Sequence, residues 1–256
     1  MSSKVAVVTG ASQGIGHASA VRLARDFGAV VVVARNRARL EATASEVEQA
    51  GAKALVIDAD LSEAEAAAQV VARTQAAFGR IDALLNIAGA VPQIDVFDMT
   101  DEQWDHGLAL KLHGARRLTV AAWPLLKENA GSVVLMSGNS ALFPKAPYAA
   151  VGTINAAIVA LAKAFSDRGI ADGVQVNSVL PGAVMTDRRR SYLAHWAPLH
   201  QMSVEEATAR FPVDAGISRY GTPEEVAELM AFLVSPAAKW MTGTAIRMDG
   251  GEVKSV

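Results

Sequence analysis

The sequence predicts an α/β protein built on a doubly wound sheet of about seven parallel strands, with helices on both faces. Three observations predict it. Short Val/Ile/Leu runs recur along the whole chain, longer amphipathic stretches of helical length and period separate them, and Ala and Val dominate the composition. Apolar residues make up 51% of the chain but aromatic ones only 5%, which suits helices packed on a parallel sheet better than an aromatic-rich β-sandwich. Runs apolar on both faces are the signature of strands covered on two sides. At 256 residues the chain is ample for a buried core.

The elements follow in order. KVAVV (4–8) and AVVVVA (29–34) are the first two strands, the first leading through a glycine-rich turn into a helix. ALVI (54–57), IDALLN (81–86), SVVLMS (132–137), VQVNSV (174–179) and AIRM (245–248) supply five more. Strands alternating with helices form right-handed crossovers and a parallel sheet. No repeat, low-complexity stretch or linker divides the chain, so residues 1–256 read as a single dinucleotide-binding domain. One long insertion, TDRRRSYLAHWAPLHQMSVEEATARFP at 186–212, precedes the last helix and strand. It is expected to form a lid near the carboxyl ends of the strands, where open α/β sheets bind ligands.

Composition removes several classes. The net charge of −2 does not suggest a nucleic-acid or acidic-membrane partner. No apolar run is expected to approach the roughly 18 residues that span a bilayer, and MSSKVAVV lacks the build of a signal peptide. With no cysteine, disulfides, thiolate metal sites and cysteine nucleophiles are out. No His/Asp/Glu grouping has metal-ligand spacing, so no metal is expected, and the GxSxG hydrolase elbow is absent. A cytoplasmic protein is the expectation.

VVTGASQGIGHASAVRLA follows the first strand and opens the first helix. Gly10, Gly14 and Gly16 permit conformations barred to side chains and let backbone approach a pyrophosphate; Ser12, Gln13 and Ile15 complete the turn. The helix N-terminus adds unpaired N–H groups and a positive dipole end. After the second strand comes VARNRARLE. An acidic residue there would bind the adenosine ribose, but none stands between Ala34 and Leu40. Arg35 is instead placed to fork onto a 2′-phosphate, with Ser12, Gln13 and Asn36 as polar neighbours. Arg37 and Arg39 read as a solvated helix start. NADP(H) is favoured over NAD(H).

TGASQGIG, DADLS, LNIAG, YAAVG, VNSVLPGAVMTD and MTGTAIRMDGG occur in the order and at about the spacing of the short-chain dehydrogenase/reductase family, which the chain resembles along essentially its whole length. The resemblance implies a Rossmann-type fold, a nicotinamide dinucleotide, a small-molecule carbonyl or alcohol substrate, and a homotetramer, with a homodimer as the alternative. It implies that Asp60 and Leu61 border the adenine. Asn86, Ala88 and Gly89 would lie beneath the adenosine half, while Pro181, Gly182, Val184 and Thr186 would hold the nicotinamide end. A structural cap on the strand end is the other reading of Asn86.

The family's Asn-Ser-Tyr-Lys tetrad is altered at three positions. Tyr148 is present, but the lysine position four residues on is Gly152. The serine position falls on Gly138, and the interval to Tyr148 is about three residues shorter than usual. The helix asparagine, expected in WDHGLALKLHG, is Lys111, and Ile87 replaces a second asparagine near the end of strand four. Carbonyl reduction needs a hydride from the cofactor and a proton from a nearby acid. A free tyrosine has a pKa of about 10, and a neutral phenol can still donate. Lys111 is expected to bring its charge near the space left at Gly152, or else to turn away. Ser140 and Asn139 are the candidate substitutes for the serine. Asn155, seven residues after Tyr148 and so on the same helical face, reads as a contact to the adjacent helix, with ligand binding as the alternative, and His113 as a core or interface residue. Arg188, Arg189 and Arg190 of the lid are candidates to recognise a carboxylate or phosphate on the substrate, with Trp196 covering an apolar part; the other reading is a solvated run. The expected function is NADP(H)-dependent reduction of a carbonyl compound with Tyr148 as proton donor. The alternative is a redox-weak or inactive NADP-binding protein acting as a sensor or assembly partner.

Overall fold

The computed structural model describes residues 3–255. All seven expected strands form: β1 (Val5–Thr9), β2 (Ala29–Ala34), β3 (Lys53–Asp58), β4 (Ala83–Asn86), β5 (Ser132–Met136), β6 (Gln175–Pro181) and β7 (Ala245–Met248). They make one parallel sheet in the order β3-β2-β1-β4-β5-β6-β7. The order reverses between β1 and β4, and the crevice at their carboxyl ends is the topological switch point.

Alternate residues of each strand serve two cores, which is why the runs are apolar throughout. Val5 and Val7 of β1 point into one cluster with Val70, Leu118 and Ile158, from the helices α3 (Ala66–Phe78), α5 (Ala115–Glu128) and α6 (Ala149–Asp172). Ala6 and Val8 point the other way, into a cluster with Leu23, Leu40 and Met230. Those three come from α1 (Gly14–Leu23), α2 (Arg37–Gln49) and α9 (Pro223–Leu233).

Two features depart from the sequence expectation. Residues Ala146–Asp172 are by length and composition apolar enough to cross a membrane, with a mean hydropathy of 1.5 over the most apolar window. In the fold this stretch covers the sheet, and Ile154, Ile158 and Ala162 are buried in its core. Second, the helix of Lys111 is not uniform. α4 (Asp101–Gly107), opened by a Thr100–Gln103 capping box, passes into a π-helical segment, Leu108–Gly114, before α5. Such wider turns interrupt helices mostly at functional sites, and this one carries Lys111.

The 186–212 insertion folds as two helices, α7 (Asp187–Leu199) and α8 (Val204–Ala215), so it ends three residues later than expected. Leu193, Ala197 and Ala207 form their small shared core. Arg189 adds cation–π contacts, its guanidinium 4.7 Å from the Phe211 ring centre and 5.6 Å from that of Tyr192.

Candidate functional site

A cleft of about 1410 Å³ opens along the carboxyl ends of the central strands. It exceeds the roughly 300–1,000 Å³ of ordinary small-ligand pockets, so it has room for a dinucleotide and a second small molecule. Its two halves are built differently.

The β1–α1 turn forms one half. Gly10 and Gly14 have φ of 67° and 56°, in the left-handed region that side chains avoid. Gly16 is required for another reason: a Cβ there would lie 2.2 Å from the Gly10 carbonyl oxygen. Thr9 Oγ1 accepts from the backbone N–H groups of Ile87 and Ala88 at 2.9 and 3.0 Å, locking this turn to the end of β4. Gln13 caps α1 without a side-chain hydrogen bond, so the first-turn N–H groups face the cleft uncapped. These features fit a pyrophosphate.

At the outer end Arg35 lines the cleft, 3.8 Å from Asp60. Burial alone would raise the Asp60 carboxyl. Hydrogen bonds from Ser62 N (3.0 Å) and Oγ (2.6 Å), with the charge of Arg35, hold it below its usual value. Arg39 is exposed, as expected of a solvated helix start, and also lines the cleft: its guanidinium donates to Gln13 Oε1, while Asn36 caps α2 by accepting from the Arg39 N–H. Arg37 points elsewhere, to Glu41 and Asp58.

Ser12, Ile15, Leu61, Ala88, Gly89, Pro181, Gly182 and Thr186 line the cleft as expected. Asn86 does not. It is buried beneath, where Nδ2 donates to Thr119 Oγ1 at 3.1 Å and joins the sheet to α5, while Oδ1 has no hydrogen-bond partner among the described residues. Val184 also lies off the main cleft, in a small adjoining pocket, because its backbone pairs with Gly221.

The other half gathers β5, α6 and the π-helical segment. Tyr148 ends a short 3₁₀ turn, Ala146–Tyr148, that leads into α6, and it lines the cleft half-buried. Burial first, then the Glu252 carboxylate and Tyr192, push its phenol above the ordinary tyrosine value; Arg189 opposes them weakly. The hydroxyl therefore stays protonated at neutral pH.

Lys111 does not fill the space at Gly152. A Cβ at Gly152 would lie 2.8 Å from Pro144 Cβ and 3.0 Å from the Ser140 carbonyl oxygen. The shortened segment after β5 is folded onto this helix, and glycine is what admits it. Lys111 instead donates to the Ser137 carbonyl at 3.2 Å and to Asn155 Oδ1. Loss of hydration deep in the cleft, with the nearby charge of Arg188, brings its pKa down to about 7.

Asn155 is more than a helix contact. The charged form of Lys111, an ammonium, only donates, so it calls for Asn155 to present Oδ1. The amide Nδ2 then donates to Ser140 Oγ at 2.8 Å. Ser140 Oγ thus accepts, and its own proton is engaged by no other described residue. The chain Lys111–Asn155–Ser140 is polarised in one direction and ends on a cleft-lining hydroxyl. Gly138 makes it possible, since a Cβ there would come within 2.6 Å of Asn155 Nδ2. Asn139 takes a different partner, donating from Nδ2 to Glu252 Oε2 at 2.7 Å.

The lid arginines are already engaged. Arg188 donates to the carbonyls of Val91 (2.7 Å) and Gly89 (3.4 Å), Arg189 stacks within the lid, and Arg190 and Trp196 do not line the cleft. His113 also stays out of it, its Nδ1 buried without a hydrogen-bond partner among the described residues.

A glycine-rich β–α turn at the switch point of a seven-stranded parallel sheet, facing a tyrosine across a long cleft, defines a dinucleotide-binding oxidoreductase of the Rossmann class. Comparison with known proteins gives the family. The family model described as enoyl-(acyl carrier protein) reductase matches residues 10–252. Versicolorin reductase 1 of Aspergillus parasiticus is 33% identical over 259 residues, covering 97% of this chain and 95% of its own. The crystal structure of L-sorbose reductase from Gluconobacter frateurii, complexed with NADPH and L-sorbose, superposes with a TM-score of 0.95 at 28% identity, covering 100% of this chain and 98% of that one. NAD+-bound xylitol dehydrogenase superposes with a TM-score of 0.91 at 26% identity, covering 98% and 99%. The chain belongs to the short-chain dehydrogenase/reductase family and is an NAD(P)-dependent oxidoreductase of that type.

Proposed function

We propose that the protein reduces a small carbonyl compound with NADPH, using Tyr148 as the proton donor and a lysine relocated to position 111. The observation that carries this reading is the hydrogen-bond chain from Lys111 through Asn155 to Ser140, which ends on a free hydroxyl in the cleft that Tyr148 also lines. When bound, the nicotinamide supplies the hydride that adds to the carbonyl carbon. The Tyr148 O–H gives its proton to the carbonyl oxygen, and the Ser140 O–H donates a hydrogen bond to that oxygen as negative charge develops on it. Because its phenol is shifted upward, Tyr148 suits reduction, which needs the acid, better than oxidation, which needs the phenolate. Lys111 acts by orienting Asn155, and so works through Ser140 rather than on the phenol.

Arg35 and Arg39 support NADPH over NADH, since together they offer two forks where a 2′-phosphate would sit. The NADPH-bound sorbose reductase agrees, whereas the NAD+-bound xylitol dehydrogenase shows the same fold taking the other cofactor. The α7–α8 pair is read as the substrate lid of a single domain spanning residues 1–256. Exposed apolar residues on α5 and α6, Val120 and Ile170, support assembly into a homotetramer through these helices.

The test is a panel of ketones and aldehydes followed by NADPH absorbance, alongside a fluorescence titration of NADPH binding. Binding with turnover of at least one carbonyl class is expected. Tight binding with no turnover across the panel would support a redox-weak NADP-binding protein instead.

A further inference from the structure

The C-terminal segment brings a carboxylate to the substrate end of the cleft. Asp249 organises the turn, its Oδ1 accepting from Gly251 N at 3.0 Å and its Oδ2 from Val253 N at 2.9 Å. Gly250 and Gly251 take φ of 64° and 82° to close it. The turn packs so tightly on the end of β6 that a Cβ at Gly182 would lie 2.6 Å from Asp249 Cβ and 2.9 Å from Glu252 Oε2. Lys254 fastens the segment to the lid through the Gly216 carbonyl at 2.9 Å and to the turn through that of Gly251 at 2.5 Å. Glu252 is thereby aimed into the cleft, where Asn139 holds Oε2.

The basic side chains that line this end are spent elsewhere. Arg188 is on the Gly89 and Val91 carbonyls, Arg189 on the Phe211 and Tyr192 rings, and Lys254 on two carbonyls. Lys145 stands 5.7 Å from the centre of the Phe143 ring. Among the described residues no cation pairs with Glu252, and its Oε1 has no hydrogen-bond partner. A half-exposed carboxylate in this condition, on the cleft that Tyr148 also lines, is open to accept a hydrogen bond from a bound molecule and repels an anion.

We propose that Glu252 is a specificity-determining residue: its carboxylate accepts a hydrogen bond from a hydroxyl or ammonium group next to the substrate carbonyl and disfavours substrates bearing a carboxylate there. This rests on the reading of Tyr148 as the site of reduction. It reverses the expectation that lid arginines select an anionic substrate.

Three probes of equal carbon count separate the cases: hydroxyacetone, aminoacetone and pyruvate, each assayed with saturating NADPH. In the wild type, kcat/KM for the first two exceeds that for pyruvate by about tenfold or more, equivalent to about 1.4 kcal/mol. Glu252→Gln keeps an acceptor for Asn139 but removes the charge. It lowers kcat/KM for aminoacetone and raises it for pyruvate, each about tenfold and chiefly through KM, while hydroxyacetone changes little. Glu252→Leu raises KM for hydroxyacetone as well. An unchanged ranking in Glu252→Gln overturns the proposal.

A second readout does not need turnover. The chain has three tyrosines, so ring-labelled protein gives three Cζ carbon resonances, and Tyr148→Phe identifies the one of interest. Its titration midpoint falls in Glu252→Gln if the carboxylate faces the phenol, and at neutral pH, where aminoacetone carries its ammonium, aminoacetone and not pyruvate shifts the resonance in the wild type. An unmoved midpoint, or perturbation by pyruvate alone, overturns the proposal even in an inactive protein. Should Tyr148→Phe retain full turnover, the proton-donor reading fails, while the charge ranking of the three probes still decides on Glu252.

Discussion

The two ends of the cleft obey different rules. At the β1–α1 end the cleft wall is backbone: Gly10, Gly14 and Gly16 shape a turn that leaves N–H groups open for the proposed pyrophosphate, and substitution is barred by sterics. At the β5–α6 end the cleft is lined by side chains from four separate segments, Lys111, Ser140, Asn155 and Glu252, together with Tyr148, the proposed proton donor. A backbone site must keep its local sequence. A side-chain site can be rebuilt by exchanging space, as Gly138 yields to Asn155 and Gly152 yields to Pro144. The comparison teaches that a glycine means approach by backbone at one end and accommodation of a relocated neighbour at the other.

The sharpest way to break this comparison is at position 16. Gly16→Ala forces a methyl against the Gly10 carbonyl, so NADPH affinity should fall about 100-fold or more in a fluorescence titration, with a loss of stability of roughly 1–3 kcal/mol. Retained affinity would mean that the turn does not carry the pyrophosphate. Next is Gly152→Lys, which places a lysine four residues after Tyr148. Because Pro144 and the Ser140 carbonyl already occupy the space, the variant should lose roughly 1–3 kcal/mol in denaturant unfolding and lose activity. A gain in activity would show that the glycine is a defect, not an accommodation.

Smaller effects sharpen the picture. Arg35→Ala and Arg39→Ala should each cut the preference for NADPH over NADH by about tenfold, roughly 1.4 kcal/mol, with NADH binding unchanged. Arg37→Ala, whose guanidinium is tied to Glu41 and Asp58, should leave the preference alone.

The mildest effect is a pH dependence. The Lys111 pKa is lowered from 10.5 to about 7, so between these values the unfolded state binds the extra proton. Stability therefore rises with pH across that window. The Tm of the wild type relative to Lys111→Met should climb from pH 6 to pH 9, where about 1 kcal/mol corresponds to roughly 2–4 °C. A flat difference would mean that the lysine is not desolvated.

Legibility in the sequence followed the same division. All seven strands were visible because buried parallel strands are apolar on both faces, and the glycine turn was visible because its constraints are local. The place of Arg39 at the cleft is not legible in the sequence, because it depends on helical geometry that brings the side chain back over Gln13. The place of Asn86 under α5 depends equally on packing, here against Thr119. The rebuilt end was only half readable. Gly138, Gly152 and Lys111 stand out in the sequence, but which atoms fill the space around them is decided by packing. The short interval before Tyr148 is visible in the sequence, but that it lands Pro144 on Gly152 depends on the fold. Glu252 left no local signal at all, because only the return of the C-terminal turn to β6 brings it into the cleft.

The central claim is that Tyr148 is the acid of a reductase whose cofactor end is independent of it. It is tested most directly by measuring kcat/KM for the best carbonyl substrate and the Kd for NADPH in Tyr148→Phe. The expected result is a fall in kcat/KM of about 10²–10⁴-fold with an NADPH Kd within about twofold of the wild type. Turnover equal to the wild type in this variant would contradict the account.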